Sequence, residues 1–306
     1  MVKVFIDGSA GTTGLRIHDR LKARKDVELF TLSDELRKDP NARKDAIFAA
    51  DIAFLCLPDA AAKESVALAE GSDTVIIDTS TAHRTAEGWV YGFPEITGSA
   101  NVAGSKRIAN PGCHASGFIV LVAPLVKLGL LNKDAALSCW SLTGFSGGGK
   151  KMIADYKNPE RSPLLDGPRF YGLTQVHKHL KEMKIISGLN VDPIFCPIVA
   201  DYYSGMEVAV SVFKKDLNGT IDDVKAAYKN FYKGPLVHFD DALDVGGFIS
   251  GATMSGRDDM AVTVTGNEDR VVLVSLFDNL GKGASGAAIQ NMNIVMGVDE
   301  TTGLTF

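Results

Sequence analysis

The chain has 306 residues, of which 45% are hydrophobic and 23% charged, and its net charge is −5. This length favours two domains with ample apolar material for their cores. The acidic balance argues against nucleic acid or an anionic membrane as partner, because both bind basic faces. No apolar run reaches the roughly 18 residues of a membrane span, and the first residues read as a strand rather than a signal peptide. We therefore expect a cytoplasmic protein that acts on a small molecule.

The first hundred residues alternate apolar strands with helix-like segments. The predicted strands are Val2–Ile6, Val27–Thr31, Ile52–Leu57 and Thr74–Ile77. One predicted helix runs through Leu15, Ile17 and Leu21, and another runs from Asp59 to Ala69. Strands that alternate with helices predict a doubly wound parallel sheet of the Rossmann type.

The pattern changes near Ile108. A strongly apolar helix is predicted at Ala115–Leu128. It is followed by predicted strands at Leu137–Leu142, Ile194–Ile198, Glu207–Phe213, Met260–Val264 and Val271–Phe277. With fewer helices between them, these strands predict an α+β domain with a mixed, largely antiparallel sheet. A last helix, which begins with small residues at Gly283, would return the chain to the first domain. The first predicted domain therefore comprises 1–112 and 283–306, and the second comprises 113–282.

A glycine-rich loop links the first strand to the first helix. Gly8, Gly11 and Gly14 would let backbone N–H groups approach phosphate oxygens at a helix N-terminus. The spacing G-x-x-G-x-x-G only partly meets the dinucleotide fingerprint, and the alternative is a tight turn that needs glycine for backbone reasons. The predicted cofactor-binding residues here are Gly8, Ser9, Gly11, Thr12, Thr13 and Gly14.

The end of the second strand favours NADP over NAD. NAD enzymes usually carry an acidic residue here to hold the ribose hydroxyls. This chain has Ser33 at that point, followed by Asp34, Arg37 and Lys38. A hydroxyl followed by cations suits the extra phosphate of NADP, so Ser33 and Arg37 are predicted to bind it. The alternative is a solvated helix face.

The four cysteines are scattered, and without a C-x-x-C pair they predict neither a zinc site nor a disulfide framework. Cys113 lies at the start of the apolar helix, where the positive helix end favours a thiolate and hence a nucleophile. The alternative is a small residue that simply fits a helix start. Cys56, Cys139 and Cys196 lie within strand patterns and are interpreted as inert core thiols.

The segment His177-Lys-His179-Leu-Lys-Glu182 supplies two imidazoles and a carboxylate within six residues. Such a set can provide an acid/base group with an orienting partner. On a helix, Glu182 would share a face with His179 and fix the tautomer of that ring. The alternative is a polar helix start. No further cluster completes a metal-ligand set, so no metal site is predicted.

Two loops suit an anionic substrate, although either could be an ordinary loop. One follows the fourth strand and ends in Arg84, which could bind phosphate in a bidentate manner. The other, Gly144–Lys150, contains glycines whose N–H groups are open beside a lysine. The predicted substrate-binding residues are Arg84, Asn110, Ser146 and Gly147.

Taken together, these residues resemble the N-acetyl-γ-glutamyl-phosphate reductase family in its shorter form, a relative of the aspartate-semialdehyde dehydrogenases. The segments that carry the resemblance include Tyr91-Gly-Phe-Pro-Glu95, Asn110-Pro-Gly-Cys113, Ser146-Gly-Gly-Gly149 and Gln290-Asn-Met-Asn293. The chain departs from the longer form at His114-Ala115, where that form has Tyr-Pro, and at Lys181, where it has Pro.

The resemblance implies an NADPH-dependent reduction of an acyl phosphate in arginine biosynthesis, and a homotetramer. It implies that Cys113 is the nucleophile and that one histidine of the pair His177 and His179 is the acid/base group, with His177 favoured. Arg84 would hold the phosphate, and the C-terminal helix, with Gly283 and Asn291, would complete the NADP site.

Two alternatives remain open at this point. A related acyl-phosphate reductase or semialdehyde dehydrogenase could act on another amino-acid substrate, because sequence locates side-chain contacts poorly. A non-catalytic NADP-binding sensor would bind the cofactor without a reactive thiol.

Overall fold

The structure is a computed structural model that describes residues 1–9 and 11–306, without the side chain of residue 12. It divides into two compact units. The first comprises Met1–Pro111 and Ala284–Leu304, and the second comprises Gly112–Gly283 and Thr305–Phe306. Among the described residues, no helix is both long and apolar enough to cross a membrane. The assignment of cofactor binding to the first predicted domain and of catalysis to the second stays a prediction.

The strands in chain order are β1 Val2–Asp7, β2 Val27–Phe30, β3 Ile52–Leu55, β4 Val75–Asp78, β5 Val90–Tyr91, β6 Arg107–Ala109, β7 Ser138–Gly144, β8 Arg169–Phe170, β9 Ile194–Ala200, β10 Met206–Phe213, β11 Val237–Phe239, β12 Met260–Gly266 and β13 Arg270–Phe277. The α-helices are α1 Thr12–Lys22, α2 Pro40–Phe48, α3 Asp59–Leu68, α4 Pro94–Thr97, α5 Ser99–Ala103, α6 Cys113–Lys127, α7 Gly149–Lys157, α8 Leu180–Ser187, α9 Ile221–Phe231 and α10 Gly286–Met296. A π-helical turn, Gly281–Ser285, leads directly into α10.

The first unit contains a six-stranded sheet in the order β2-β1-β3-β4-β6-β5, and every pair in it is parallel. Alternate residues of β1 face opposite sides. Ile6 packs in one core with Ile17 of α1 and Met292 of α10, whereas Phe5 packs in another with Ile47 of α2. Burial of both faces explains the continuous apolar strands, and it confirms the predicted doubly wound sheet.

The second unit contains a seven-stranded sheet in the order β11-β12-β13-β10-β7-β9-β8. Its pairs are antiparallel except for β11 with β12 and β7 with β9. This confirms the predicted mixed, largely antiparallel sheet. Among the described residues this unit contains four helices, α6, α7, α8 and α9, against six in the first unit, which agrees with the expectation of fewer helices.

Helix α6 is apolar around its whole circumference and is buried from His114 to Leu125. A helix with no polar face must lie in a core. Gly117 brings it close to the sheet, since a Cβ there would overlap Val208 of β10, and the Gly117 carbonyl accepts a 3.0 Å hydrogen bond from Ser275. This packing fixes the position of Cys113, the first residue of α6.

Candidate active site

The glycine-rich loop lies at the carboxyl end of β1, where the strand order of the first sheet reverses between β1 and β3. Parallel sheets bind their ligands at such a switch point. Gly8 has φ +87°, and a Cβ there would overlap the Cys56 carbonyl oxygen after β3. A Cβ on Gly14 would lie 2.6 Å from the Gly8 carbonyl oxygen. The loop therefore requires glycine at both positions.

Gly11 is the N-cap residue of α1, its amide donates to the Gly8 carbonyl at 3.2 Å, and its own carbonyl accepts from Leu15 at 2.9 Å. Ser9 and Thr13 are half-buried beside it. The backbone of Thr12 begins the helix, and its side chain lies outside the described residues. The residues present fit a bound pyrophosphate, because amides at a helix N-terminus favour anions.

Ser33 and Arg37 lie in one exposed turn after β2. The Arg37 amide donates to the Ser33 carbonyl at 2.9 Å, and the Arg37 guanidinium lies 3.2 Å from the Asp34 carboxylate. The Ser33 hydroxyl donates to Glu35 at 3.2 Å. The turn therefore presents the exposed Arg37 guanidinium, which is paired with the exposed carboxylate of Asp34.

Arg84 lies on the loop after β4, and two main-chain carbonyls orient its guanidinium. Its Nε donates to the carbonyl of Asn110 at 3.0 Å, and one terminal nitrogen donates to that of Thr79 at 3.2 Å. The neighbouring His83 ring lies 2.6 Å from the buried Asp78 carboxylate and stacks on Trp89. The two hydrogen bonds to main-chain carbonyls fix the orientation of the planar Arg84 guanidinium, as bidentate binding of a phosphate requires.

Asn110 and Asn291 are buried together in the first unit. Asn291 donates to the carbonyl of Gly92 at 2.9 Å and to the side-chain oxygen of Asn110 at 3.3 Å. Asn110 in turn donates to the carbonyl of Ala284 at 3.0 Å. These bonds tie α10 to the segment that precedes Cys113, so both amide side chains have a structural task in addition to any contact with a ligand.

Cys113 is half-buried at the start of α6, and Gly283 lies against it. A Cβ on Gly283 would come within 3.0 Å of the Cys113 Cβ, and the Gly283 amide donates to the Asp278 carbonyl at 3.0 Å. Gly283 belongs to the π-helical turn, an irregularity that is frequent at functional sites. Gly283, which is predicted to bind the cofactor, is therefore also a packing neighbour of Cys113.

The other three thiols have different surroundings. Burial raises the pKa of Cys56 to about 12, and it raises the pKa of the fully buried Cys139 well above its ordinary value. Burial also raises the pKa of Cys196. A thiol held in its protonated form is a poor nucleophile.

His177, His179 and Glu182 converge on the start of α6. The His177 ring is half-buried, and its Nδ1 accepts a 3.2 Å hydrogen bond from the backbone amide of His179. His179 is buried at the N-cap of α8, one residue before the helix that was predicted to contain it, and its Nε2 lies 3.8 Å from the Glu182 carboxylate. Glu182 also accepts from the amide of Gly112 at 3.2 Å.

A groove of about 800 Å³ opens beside His177. Its lining includes the lysines of positions 178, 181 and 184, together with Val176 and Ile194. Asp192 also lines the groove and lies 3.7 Å from the Lys184 nitrogen, and the excess of lysines over acids favours an anionic ligand. His177 lines this groove and His179 does not, so the two rings differ in their access to a ligand.

Ser146 and Gly147 lie in a 3-10 turn, Phe145–Gly148, after β7. Ser146 is buried, its amide donates to the Tyr203 carbonyl at 3.0 Å, and its hydroxyl accepts from Asn279 at 3.0 Å. Gly147 is exposed. The turn is thus anchored by Ser146, and the glycine after it faces solvent.

The sequence analysis assigned no role to two residues at this site, His114 and Tyr171. The His114 ring packs against the rings of both His177 and His179, and its Nε2 lies 2.7 Å from the Tyr171 hydroxyl. Tyr171 follows the two-residue strand β8, whose pairing with β9 could not be read from so short a segment. In the described part of the chain, no three His, Cys, Asp or Glu residues form a metal site.

Comparison with known proteins matches both parts of the chain to family models. Residues 3–103 match the semialdehyde dehydrogenase NAD binding domain, and residues 113–279 match the semialdehyde dehydrogenase dimerisation domain. Aspartate semialdehyde dehydrogenase II of Vibrio cholerae, solved in complex with ASA, aligns with a TM-score of 0.73 at 16% identity, covering 97% of this chain and 98% of that one. At this identity the likeness shows the fold.

Curated relatives are much closer in sequence. An N-acetyl-gamma-glutamyl-phosphate reductase 2 of Nostoc sp. is 40% identical over 99% of this chain and 99% of its own length. The N-acetyl-gamma-glutamyl-phosphate reductase of Brucella suis is 42% identical over 96% of this chain and 99% of its own length. Identity of this degree over nearly the full length shows the family, which confirms the resemblance seen in the motifs. The chain belongs to the N-acetyl-γ-glutamyl-phosphate reductase family, within the semialdehyde dehydrogenases.

Proposed function

We propose that this chain reduces N-acetyl-γ-glutamyl phosphate to N-acetylglutamate 5-semialdehyde and phosphate with NADPH, as a step of arginine biosynthesis. The observation that carries the proposal is Cys113 at the first residue of a buried helix, with His177, His179 and Glu182 around that helix start. The names of the relatives supply the substrate. The dimerisation-domain match supports a homo-oligomer, for which a tetramer is our proposal, as is a cytoplasmic location.

In the first step, the Cys113 thiolate attacks the acyl carbon, the bond from that carbon to the phosphate oxygen breaks, and phosphate leaves. The N-terminus of α6 stabilises the thiolate. We assign phosphate binding to Arg84, whose guanidinium is oriented by the Asn110 and Thr79 carbonyls. Asn110, Ser146 and Gly147 are proposed to bind the rest of the substrate.

NADPH supplies the hydride that reduces the resulting thioester. The chain then stabilises the oxyanion that forms on the former carbonyl oxygen. Collapse of this oxyanion releases the aldehyde with the Cys113 thiolate as leaving group, so the step itself needs no net proton. A hydrogen-bond donor close to the oxygen is therefore sufficient.

His177 is proposed as that donor. Because its Nδ1 accepts the amide of His179, the neutral ring carries its proton on Nε2. An Nε2–H group can donate to the oxyanion without ionising, which is a narrower task than the acid/base role expected from the sequence. His179 and Glu182, both buried, are proposed to hold the start of α6 and α8 in place.

Replacing Arg37 by serine is expected to raise the KM for NADPH roughly 10- to 100-fold, because one charge-assisted bond to the 2′-phosphate is lost. The KM for NADH and the kcat should change little, since NADH has no such phosphate. Steady-state kinetics with both cofactors measures this. Lys25→Ser, an exposed lysine that precedes β2, is the control. If Arg37→Ser kept the wild-type preference for NADPH over NADH, the turn after β2 would have no part in NADP recognition.

The reverse reaction tests the substrate. With NADP and inorganic phosphate, the enzyme should oxidise N-acetylglutamate 5-semialdehyde at least about 100-fold more efficiently than aspartate semialdehyde or the unacetylated glutamate semialdehyde, because buried recognition groups reject analogues strongly. The absorbance of NADPH at its long-wavelength band follows the reaction. A preference for another semialdehyde would replace the proposed substrate, and NADP binding with no turnover of any would favour the sensor.

A further inference from the structure

The carboxylate of Asp78, the last residue of β4, organises the turn that follows this strand. Asp78 is fully buried. One of its oxygens accepts from the Ser80 amide at 2.9 Å, and the other accepts from the Ser80 hydroxyl at 2.7 Å and lies 2.6 Å from Nδ1 of His83. Because an ionised carboxylate only accepts hydrogen bonds, Nδ1 of His83 is the donor. The Asp78 carboxylate therefore closes residues 78–83 into one hydrogen-bonded turn.

The His83 ring is held on a second side by an aromatic ring. It stacks on Trp89 with the ring centroids 4.2 Å apart and the planes inclined by 12°, and His83 is only 8% exposed. The amide of Ala86 donates to the His83 carbonyl at 3.1 Å. A ring that is hydrogen-bonded at one nitrogen and stacked on one face has little freedom to rotate, so His83 fixes the backbone at its own position and at Arg84.

Asp78 also lies next to both carbonyl groups that orient the Arg84 guanidinium. These acceptors belong to Thr79 and Asn110. Thr79 follows Asp78 directly in the chain, and the Asn110 amide donates to the Asp78 carbonyl at 2.7 Å. The same aspartate thus supports the two acceptors at the guanidinium end of Arg84 and, through His83, the backbone end of that side chain.

Fixing both ends of an arginine matters for binding. A long, flexible side chain loses conformational freedom when it binds a ligand, and this loss weakens binding unless the side chain is already ordered. A bidentate bond to phosphate additionally requires the planar guanidinium to have the correct orientation. A group that orders Arg84 before phosphate arrives therefore strengthens phosphate binding without contacting the phosphate.

We propose that His83 is a positioning residue for phosphate. Its hydrogen bond to Asp78 and its stacking on Trp89 hold the backbone of Arg84 so that the guanidinium meets the phosphate group in one orientation. The ligand is the phosphate of the acyl phosphate in the forward reaction and inorganic phosphate in the reverse reaction. The inference rests on the proposed function only in taking Arg84 as the phosphate-binding residue, and no covalent bond changes in this role.

The reverse reaction, with NADP, the semialdehyde and inorganic phosphate, gives a separate KM for each substrate. His83→Phe keeps an aromatic ring against Trp89 but cannot donate to Asp78. It should raise the KM for phosphate about tenfold and leave kcat and the other two KM values within about twofold, because only phosphate binds through Arg84. His83→Asn, whose amide can occupy nearly the position of Nδ1, should recover about threefold of this loss.

A double-mutant cycle tests whether His83 acts through Arg84. Arg84→Ala alone should raise the KM for phosphate about 100-fold, because a charge-assisted bidentate bond is lost. Adding His83→Phe to Arg84→Ala should change this KM by no more than about twofold, since the residue that His83 positions is gone. If the two effects multiplied instead, His83 would act independently of Arg84, and the proposal would be wrong.

His18→Phe is the matched control, because it makes the same change in the same unit at a histidine that also lies beside an aspartate, Asp19, at 3.5 Å. All its kinetic constants should equal those of the wild type. Ser80→Ala removes a different donor to Asp78 and should raise the KM for phosphate about threefold. Where His83→Phe does not fold, an unchanged KM in Ser80→Ala would overturn the proposal.

The outcomes separate this inference from the proposed function. If Arg84→Ala weakens phosphate binding and His83→Phe does not, the role of His83 alone is disproved. If Arg84→Ala leaves the KM for phosphate unchanged, the phosphate site is wrong and the inference falls with it. If the wild type turns over no semialdehyde, the proposed function fails, and calorimetric titration of the same variants with inorganic phosphate, compared by their Kd values, then decides the role of His83.

Discussion

Cys113→Ser should reduce kcat for the reduction by at least about four orders of magnitude and leave NADPH binding unchanged. A serine hydroxyl at this position stays protonated, and the loss of a covalent nucleophile typically costs this much or more. The glycines that are proposed to bind the pyrophosphate, Gly8, Gly11 and Gly14, lie on a different unit from Cys113, so the Kd for NADPH measured by fluorescence titration should stay within about twofold. Stopped-flow kinetics with the acyl phosphate would show no burst of phosphate release.

Cys139→Ala is the matched control for this substitution. Cys139 is fully buried in β7, and burial raises the pKa of its thiol, so it has no part in the proposed chemistry. Its replacement should cost about 1 kcal/mol of stability from the lost packing and preserve kcat. A Cys113→Ser enzyme that turns over at a rate near the wild type would disprove the thioester route.

The fold could be predicted well because its strands are buried in simple patterns. Continuous apolar runs such as Ile52–Leu55 are typical of strands that are covered on both faces. The predicted ends of the strands lie within two residues of the observed ends. The helices Pro40–Phe48, Gly149–Lys157 and Ile221–Phe231 were not predicted, nor were the two-residue strands. A two-residue strand exists only through its partner.

The candidate site could be predicted only where its residues lie close together in the sequence. Cys113 at a helix start and the His177–Glu182 segment can be recognised from neighbours in the chain. The contact of Gly283 with Cys113 joins residues 170 positions apart, and the bond of His114 to Tyr171 joins residues 57 positions apart. Such contacts depend on how α6 packs against the sheet, and no periodicity of one segment encodes them.

His177→Ala should lower kcat by about 100- to 1000-fold with little change in the KM for NADPH, since it removes a donor that acts on the oxyanion. The rate of Cys113 alkylation should stay near that of the wild type, because His177 is proposed to act after the thiolate has formed. His238→Gln, a half-exposed histidine beside Asp259, is the control and should leave kcat unchanged.

His177→Gln separates the two possible tasks of this histidine. The glutamine amide can occupy nearly the position of the imidazole Nε2 and donate a hydrogen bond, but it cannot transfer a proton. If His177 only donates, glutamine should recover at least about tenfold of the kcat lost in His177→Ala. If it works as an acid or base, glutamine and alanine should be equally slow, and the wild-type pH–rate profile should lose one limb in both. Equal rates for the two variants would therefore reject the oxyanion-donor role and return His177 to the proton-transfer role that the sequence first indicated.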